Sequence, residues 1–115
     1  MAPSPRLTIQ VLTVLNVMLE EPTGDWYGLD LANRASLKTG TIYPILARLE
    51  TAGWLSSARE AIDPAEAGRP RRRLYRLTGE GERAARSALR ESRMRLGASG
   101  EPPLRATLRP QGRMA

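Results

Sequence analysis

Two clusters of hydrogen-bond donors carry most of the chemistry available to this chain. Lys38, Thr39, Thr41, Tyr43 and Arg48 fall within one short stretch, and Arg69, Arg71, Arg72 and Arg73 crowd together around Gly68 and Pro70. Ammonium and guanidinium groups only donate, so such clusters suit the oxygens of a polyanion. Other chemistry is poorly supplied. The chain has no Cys and no His, which removes disulfides, thiolate nucleophiles, imidazole bases and the usual zinc sites. Its carboxylates stand mostly beside arginines on expected helix surfaces or in a loop. There is no Gly-rich phosphate loop and no pair of acids in an apolar setting. No catalytic residue, cofactor or metal site is therefore expected, and the chain does not read as an enzyme.

The overall charge agrees with the clusters. Against 12 acidic side chains stand 18 basic ones, giving a formal net charge of +6 and a pI of about 11. A polyanionic partner is favoured. Anionic lipid would also satisfy that charge, but no apolar run is long enough to span a bilayer, and the first residues lack a basic leader and a small-residue cleavage site. The expected location is cytoplasmic. A length of 115 residues suits one small domain with a single modest core, plus a tail.

The donors of the first cluster need a helix to hold them. From Lys38 to Gly53, Ile42, Ile45, Leu46 and Leu49 recur at helical spacing and form one core-facing stripe. The opposite face carries Gly40, Pro44, Ala47 and Thr51, flanked by Thr41, Tyr43 and Arg48. An ordinary surface helix carries long charged side chains there. A low-relief face flanked by donors suits a helix lying in a groove, although an uncrowded amphipathic helix has the same pattern. Pro44 removes only the bond to the Gly40 carbonyl in the first turn, Thr39 is a candidate cap, and Gly53 is the expected stop.

Before that stretch, residues 1–6 read as a flexible lead-in. A first helix is expected from Leu7 to about Glu20, with Leu7, Val11, Val14, Leu15 and Met18 as its stripe. Ile9, Leu12, Val17 and Leu19 extend apolar surface round the cylinder. This surplus suggests a homodimer contact, the alternative being a central helix wrapped by its own chain. Pro22 and Gly24 break it. A second helix follows from about Tyr27 to Ala35, capped by Asp25, with Leu29, Leu31 and Ala32 facing inward. The short link Ser36-Leu37-Lys38 then gives the layout of a helix-turn-helix.

After Gly53 two short runs, Trp54 to Arg59 and Arg71 to Leu77, flank a polar stretch and read as a β-hairpin. Its loop holds the densest positive charge in the chain. Arginines in a narrow Gly/Pro-shaped loop fit a minor groove and its phosphates, whereas a solvated loop would use the same charge only for solubility. Thr78 is the expected N-cap of a last helix reaching about Leu96, with Glu80 and Glu82 in its first turn and Glu82/Arg86 and Glu91/Arg95 pairs along it. The seam of Ala85, Ala88, Leu89, Ser92 and Leu96 is thin. Pairing with the over-apolar first helix, within and between subunits, would cover both; Ile9, Leu12, Leu19, Ala85, Leu89 and Leu96 are the expected dimer contacts. Residues 97–115 read as a disordered basic tail.

The order of elements is that of a winged helix-turn-helix, and the sequence resembles the PadR family of bacterial transcriptional regulators. The residues that carry the resemblance are Gly40-Thr41-Ile42-Tyr43-Pro44-Ile45-Leu46, Arg48-Leu49-Glu50, Gly53, the Arg-rich wing and Tyr75-Arg76-Leu77-Thr78 followed by Gly81. They span roughly residues 7–92. The resemblance implies a mainly α fold with a small β-hairpin: a winged helix-turn-helix over 7–78, then a C-terminal dimerisation helix over 79–96. It also implies a dimeric repressor that binds inverted repeats in double-stranded DNA near promoters. By position, Thr39, Thr41 and Tyr43 belong to the DNA-contacting part of the recognition helix, and Arg69 to Arg73 to the wing. Two departures stand out. Gly28-Leu29 replaces the family's Gly-Tyr pair in the second helix, and residues 78–96 lack the aromatic with which some relatives bind flat compounds, so the small-molecule effector is unknown.

On this reading Lys38, Tyr43 and Arg48 grip phosphates, while Thr39 and Thr41 reach base edges. The entering end of the helix has no Asn, Gln or Arg, so wing insertion and DNA shape are expected to supply much of the specificity. The alternative from another class is a winged-helix protein-interaction module whose basic hairpin docks an acidic partner. A single-strand or RNA binder is disfavoured, because no aromatics interleave with the basic loop.

Overall fold

The computed structural model describes residues 4–98, with side chains described through Arg95. Its order is α1 (Ile9–Met18), β1 (Trp26–Tyr27), α2 (Gly28–Ala35), α3 (Thr39–Thr51), β2 (Leu55–Arg59), α4 (Pro64–Ala67), β3 (Arg73–Leu77) and α5 (Gly79–Ala98). This is the expected mainly α winged helix-turn-helix. The sheet has three antiparallel strands in the order β1-β3-β2, so β3 lies in the middle, with Trp26 opposite Tyr75 on one side and Leu55 opposite Leu77 on the other.

α1 starts two residues later than its apolar pattern suggests. Thr8 caps it by accepting from the Val11 N–H at 3.2 Å, which leaves Leu7 outside the helix and exposed. Val11, Val14, Leu15, Val17 and Met18 are buried. Val17, part of the expected surplus, is thus covered by the chain's own core. α2 enters from the extended backbone of Tyr27 without a side-chain cap. Asp25, the expected cap, instead accepts from Arg76 on β3 at 2.8 Å. Leu31 and Ala32 face inward as expected, but Leu29 is 53% exposed, because its position turns away from α1 and α3.

The link from α2 to α3 passes through Ser36 in the left-handed region (φ 58, ψ 45). Leu37 N–H reaches back to the Ala32 carbonyl at 2.8 Å, the hydrogen-bond closure that sets a sharp turn after a helix. α3 begins after Lys38, without the expected Thr39 side-chain cap, and runs through Pro44 to Thr51. It ends as its sequence suggests, with Gly53 at φ 83 and the Trp54 N–H donating to the Leu49 carbonyl at 2.9 Å.

Ile42, Ile45, Leu46 and Leu49 are almost wholly buried. At about 1.5–3 kcal/mol for each such side chain taken out of water, this stripe is a principal anchor of α3. Thr78 fixes the start of α5: its hydroxyl donates to the Gly53 carbonyl at 2.7 Å and accepts from the Gly81 N–H at 2.9 Å. One residue therefore joins the end of α3 to the start of α5. α5 continues past Leu96 to Ala98; residues 99–115 of the expected tail lie outside the described residues. Among the described residues no helix is long and apolar enough to cross a membrane.

Candidate nucleic-acid interface

The outer face of α3 is uncovered. Gly40, Pro44, Ala47 and Thr51 are all exposed, and a Cβ built on Gly40 meets no atom within 4 Å. Lys38 and Thr39 are exposed at the N-terminus of the helix, and Thr41 is half-buried. Tyr43, 42% exposed, lays its ring over Gly28. Arg48 is exposed in the last turn. At 1.5 Å per residue it stands about 15 Å along the axis from Lys38, so the donors flank the whole bare face.

The wing is the hairpin β2/β3 with the loop between. That loop is not featureless: Asp63 caps α4 by accepting from the Ala65 N–H at 3.0 Å, and Gly68 ends it at φ 71. Pro at the first helical position and Gly just beyond the last are the signals in the sequence that mark this turn. Arg71 Nε donates to the Ile62 carbonyl at 2.9 Å, and Arg73 donates through Nη1 to Ser57 Oγ at 3.0 Å. Each of these bonds uses one of five N–H donors on a side chain that is otherwise exposed. Ser57 Oγ in turn donates to Glu50 at 2.7 Å, which ties the base of the wing to α3.

Arg69 differs from its neighbours. It makes a two-pronged contact with Glu60, at 2.7 Å from Nη1 and 3.2 Å from Nη2, and so its charge is largely neutralised within the protein. It stays in the wing loop, half-buried, with two of its donors committed to this ion pair. Glu60, at 7% exposure, also accepts from the Tyr27 hydroxyl at 2.5 Å and the Arg72 N–H at 2.9 Å. Arg69 first, then Tyr27 and the Arg72 N–H, hold its carboxyl down at about 2. The Arg72 guanidinium lies over the Tyr27 ring, 5.3 Å from its centre.

Sequence patterns did not single out Glu60 or Arg59. Arg59 is exposed and directly opposite Arg73 across the ladder. Two like charges in register are unfavourable on their own; here they place two guanidinium groups at the loop end of the ladder. Neither has a local signal: at a period of two Arg59 shares the face of buried Leu55, and the partners of Glu60 are distant in sequence.

A model of the transcriptional regulator PadR-like family matches residues 14–87. The chain belongs to the PadR-like family. No curated protein matches the sequence. Among solved structures, a PadR family transcription regulator from hypervirulent Clostridium difficile R20291 is similar at 25% identity, over 76% of this chain and 90% of that one, with a TM-score of 0.62. The PcaV transcriptional regulator from Streptomyces coelicolor, solved with its natural ligand, is similar at 29% identity over 93% of this chain and 72% of that one, with a TM-score of 0.63. Bacillus subtilis PadR, solved in complex with operator DNA, shares the fold at 18% identity and a TM-score of 0.58; the matched part is 71% of this chain and about half of that one, 48%.

In this PadR-like chain the expected dimer contacts divide into three groups. Ile9 is 61% exposed, and Leu12, Leu19 and Leu89 are half-buried. Ala85 is fully buried by the chain itself, because α5 packs on the core through that small residue; it is not free to meet a partner in this arrangement. The Leu96 side chain lies outside the described residues. Between α1 and α5 an open groove of about 470 Å³ is lined by Leu19, Leu89 and Met94 together with Asn16, Arg86, Arg90 and Arg93.

Proposed function

We propose that this PadR-like regulator is a dimeric repressor that binds an inverted repeat in double-stranded DNA near a promoter, in the cytoplasm. The observation that carries the proposal is the uncovered, low-relief face of α3 beside a wing rich in arginine. With Gly40, Pro44, Ala47 and Thr51 outward, that helix can seat deep in a major groove. Lys38, Tyr43 and Arg48 then contact phosphates on either side, and Thr39 and Thr41 reach base edges. Arg71, Arg72 and Arg73, joined by Arg59, contact the adjoining backbone and minor groove, where shape rather than base hydrogen bonds is read.

A second copy is supported by the apolar surface left on α1 and α5. Ile9 and Met94 are 61% and 71% exposed, and the groove between the helices is open. Pairing two copies there places two recognition helices in successive major grooves, about one helical turn apart. Such a dimer bound over a promoter blocks polymerase. Selecting bound duplexes from fragmented genomic DNA tests the whole proposal. The expected result is a two-fold symmetric site upstream of coding sequence; recovery of no preferred duplex at low salt, or of an asymmetric single half-site, overturns it.

A further inference from the structure

Glu60 is the single buried charged side chain among the described residues, and it stands in the most basic part of the chain. On charge alone it is misplaced. A carboxylate beside Arg69, Arg71, Arg72 and Arg73 subtracts from the field that draws a polyanion to the wing. Its contacts point to a geometric role. Its backbone N–H donates to the Arg72 carbonyl at 2.8 Å while its carboxylate accepts from the Arg72 N–H at 2.9 Å, so it extends the hairpin one pair beyond Arg59 and Arg73. Its carboxylate also takes both Nη groups of Arg69 from the far side of the loop and the hydroxyl of Tyr27 from outside the hairpin.

Tyr27 is the residue through which the backbone enters α2, and the next residue, Gly28, is where the Tyr43 ring of α3 rests. Two adjacent residues therefore hold the two DNA-facing parts: Gly28 seats the recognition helix, and Tyr27 seats the wing. We propose that Glu60 and Tyr27 are positioning residues that set the angle between the recognition helix and the wing, and so determine which duplexes are accepted. This inference rests on the duplex-binding proposal above. Neither residue touches DNA. The hairpin is already paired with β1, where Tyr27 stands opposite Leu74; the Tyr27–Glu60 bond adds a side-chain tie beyond that ladder, at the loop end, and holds the wing at the orientation in which it and α3 engage neighbouring grooves together.

The test exploits a difference in sign. Glu60→Ala removes one negative charge, taking the formal net charge from +6 to +7, and frees the Arg69 guanidinium. If charge alone governs binding, the variant binds every duplex more tightly, with a salt slope steeper by about one contact. If Glu60 positions the wing, affinity for the selected site falls about tenfold while affinity for unrelated duplex of the same length holds or rises, so the ratio between them collapses. Tyr27→Phe, which changes no charge and removes only the hydroxyl, shifts the ratio in the same direction by a smaller factor.

Loss of folded protein lowers both affinities together and leaves the ratio unchanged, so the ratio separates positioning from stability; Tyr27→Phe supplies the answer if Glu60→Ala does not fold. An unchanged ratio in a folded variant, or tighter binding to the selected site, overturns the proposal. A wild-type protein without any preferred duplex instead overturns the function on which it rests, before either variant is made.

Discussion

A Cβ added to Gly28 would stand 2.6 Å from Cε1 of Tyr43 and 2.9 Å from its hydroxyl oxygen, so the first residue of α2 is a seat for a ring on α3. Because Tyr43 is 42% exposed, its ring can yield by swinging outward rather than by unfolding the domain. Gly28→Ala should therefore leave the melting temperature within a few degrees of wild type, roughly the scale of a surface substitution. Duplex affinity should fall about tenfold, as for loss of one well-placed contact. The effect should vanish in a Tyr43→Ala background, where there is no ring to displace. Fully additive losses in the two variants would show that the ring and the glycine act independently.

The bare face of α3 makes a second prediction, in which stability and binding part company. A Cβ on Gly40 meets nothing within 4 Å and Ala47 is exposed, so Gly40→Leu and Ala47→Leu place their added atoms on the solvent side of α3. Their stability should stay within about 0.5 kcal/mol of wild type. Binding to the selected duplex should be abolished, since the added side chains occupy the volume in which base edges would lie. Melting curves together with fluorescence anisotropy check both halves. Retained affinity in a normally folded Ala47→Leu protein would remove α3 from the groove.

That face was legible in the sequence because its signal is local. Ile42, Ile45, Leu46 and Leu49 repeat with the period of a single helix, and the bald side follows from the same geometry. The stop at Gly53 and the cap at Thr78 were equally open to view, each depending on a residue type suited to its own backbone position. What stayed hidden depends on distant partners. Tyr27 and Glu60 are 33 residues apart, and nothing near either marks the bond between them. The same network commits two donors of Arg69 to Glu60, which its place among the arginines did not announce. Asp25 had the right type for a cap, yet its carboxylate meets Arg76, 51 residues away, and β1 is too short at two residues to show alternation. Ala85 had the small size suited to a close contact between subunits; that size instead serves the contact of α5 with its own core.

Gly81 gives a prediction about the fold alone. A Cβ there would lie 1.9 Å from the Trp54 carbonyl oxygen and 2.7 Å from its carbon, both backbone atoms with no rotamer to change. Gly81→Ala must push α5 away from the β2 end of the core, an overpacking cost of about 1–3 kcal/mol or more. For a domain of this size that lowers the melting temperature by roughly 10 °C. Gly79→Ala is the control, because its Cβ would be 3.5 Å from the mobile end of Arg83. It should be neutral or slightly stabilising, as alanine suits a helix better than glycine. Equal melting temperatures for the two variants would contradict the close approach at Gly81.

The Glu60 network makes stability depend on pH at both ends of the scale. Arg69, then Tyr27 and the Arg72 N–H, bring the Glu60 carboxyl from 4.5 down to about 2 in the folded protein. A group whose pKa is lower when folded contributes stability that is complete above its unfolded value and disappears as pH falls through its folded one. The contribution should therefore be lost between about pH 4.5 and 2, and Glu60→Gln should flatten that part of the acid unfolding profile. Tyr27 has the opposite sign. Its hydroxyl donates to Glu60, which raises its pKa above 10.0, with burial and the carboxylate charge acting the same way. Its share of stability is present below 10.0 and is lost as the phenol ionises at higher pH. Phenolate absorbance should show Tyr27 ionising late in wild type and earlier in Glu60→Gln, identified by comparison with Tyr27→Phe. Tyr75, raised chiefly by its burial, should keep its late ionisation in all three proteins. If Glu60→Gln left both the acid limb and the Tyr27 titration as they are in wild type, the bond between Glu60 and Tyr27 would not exist in solution.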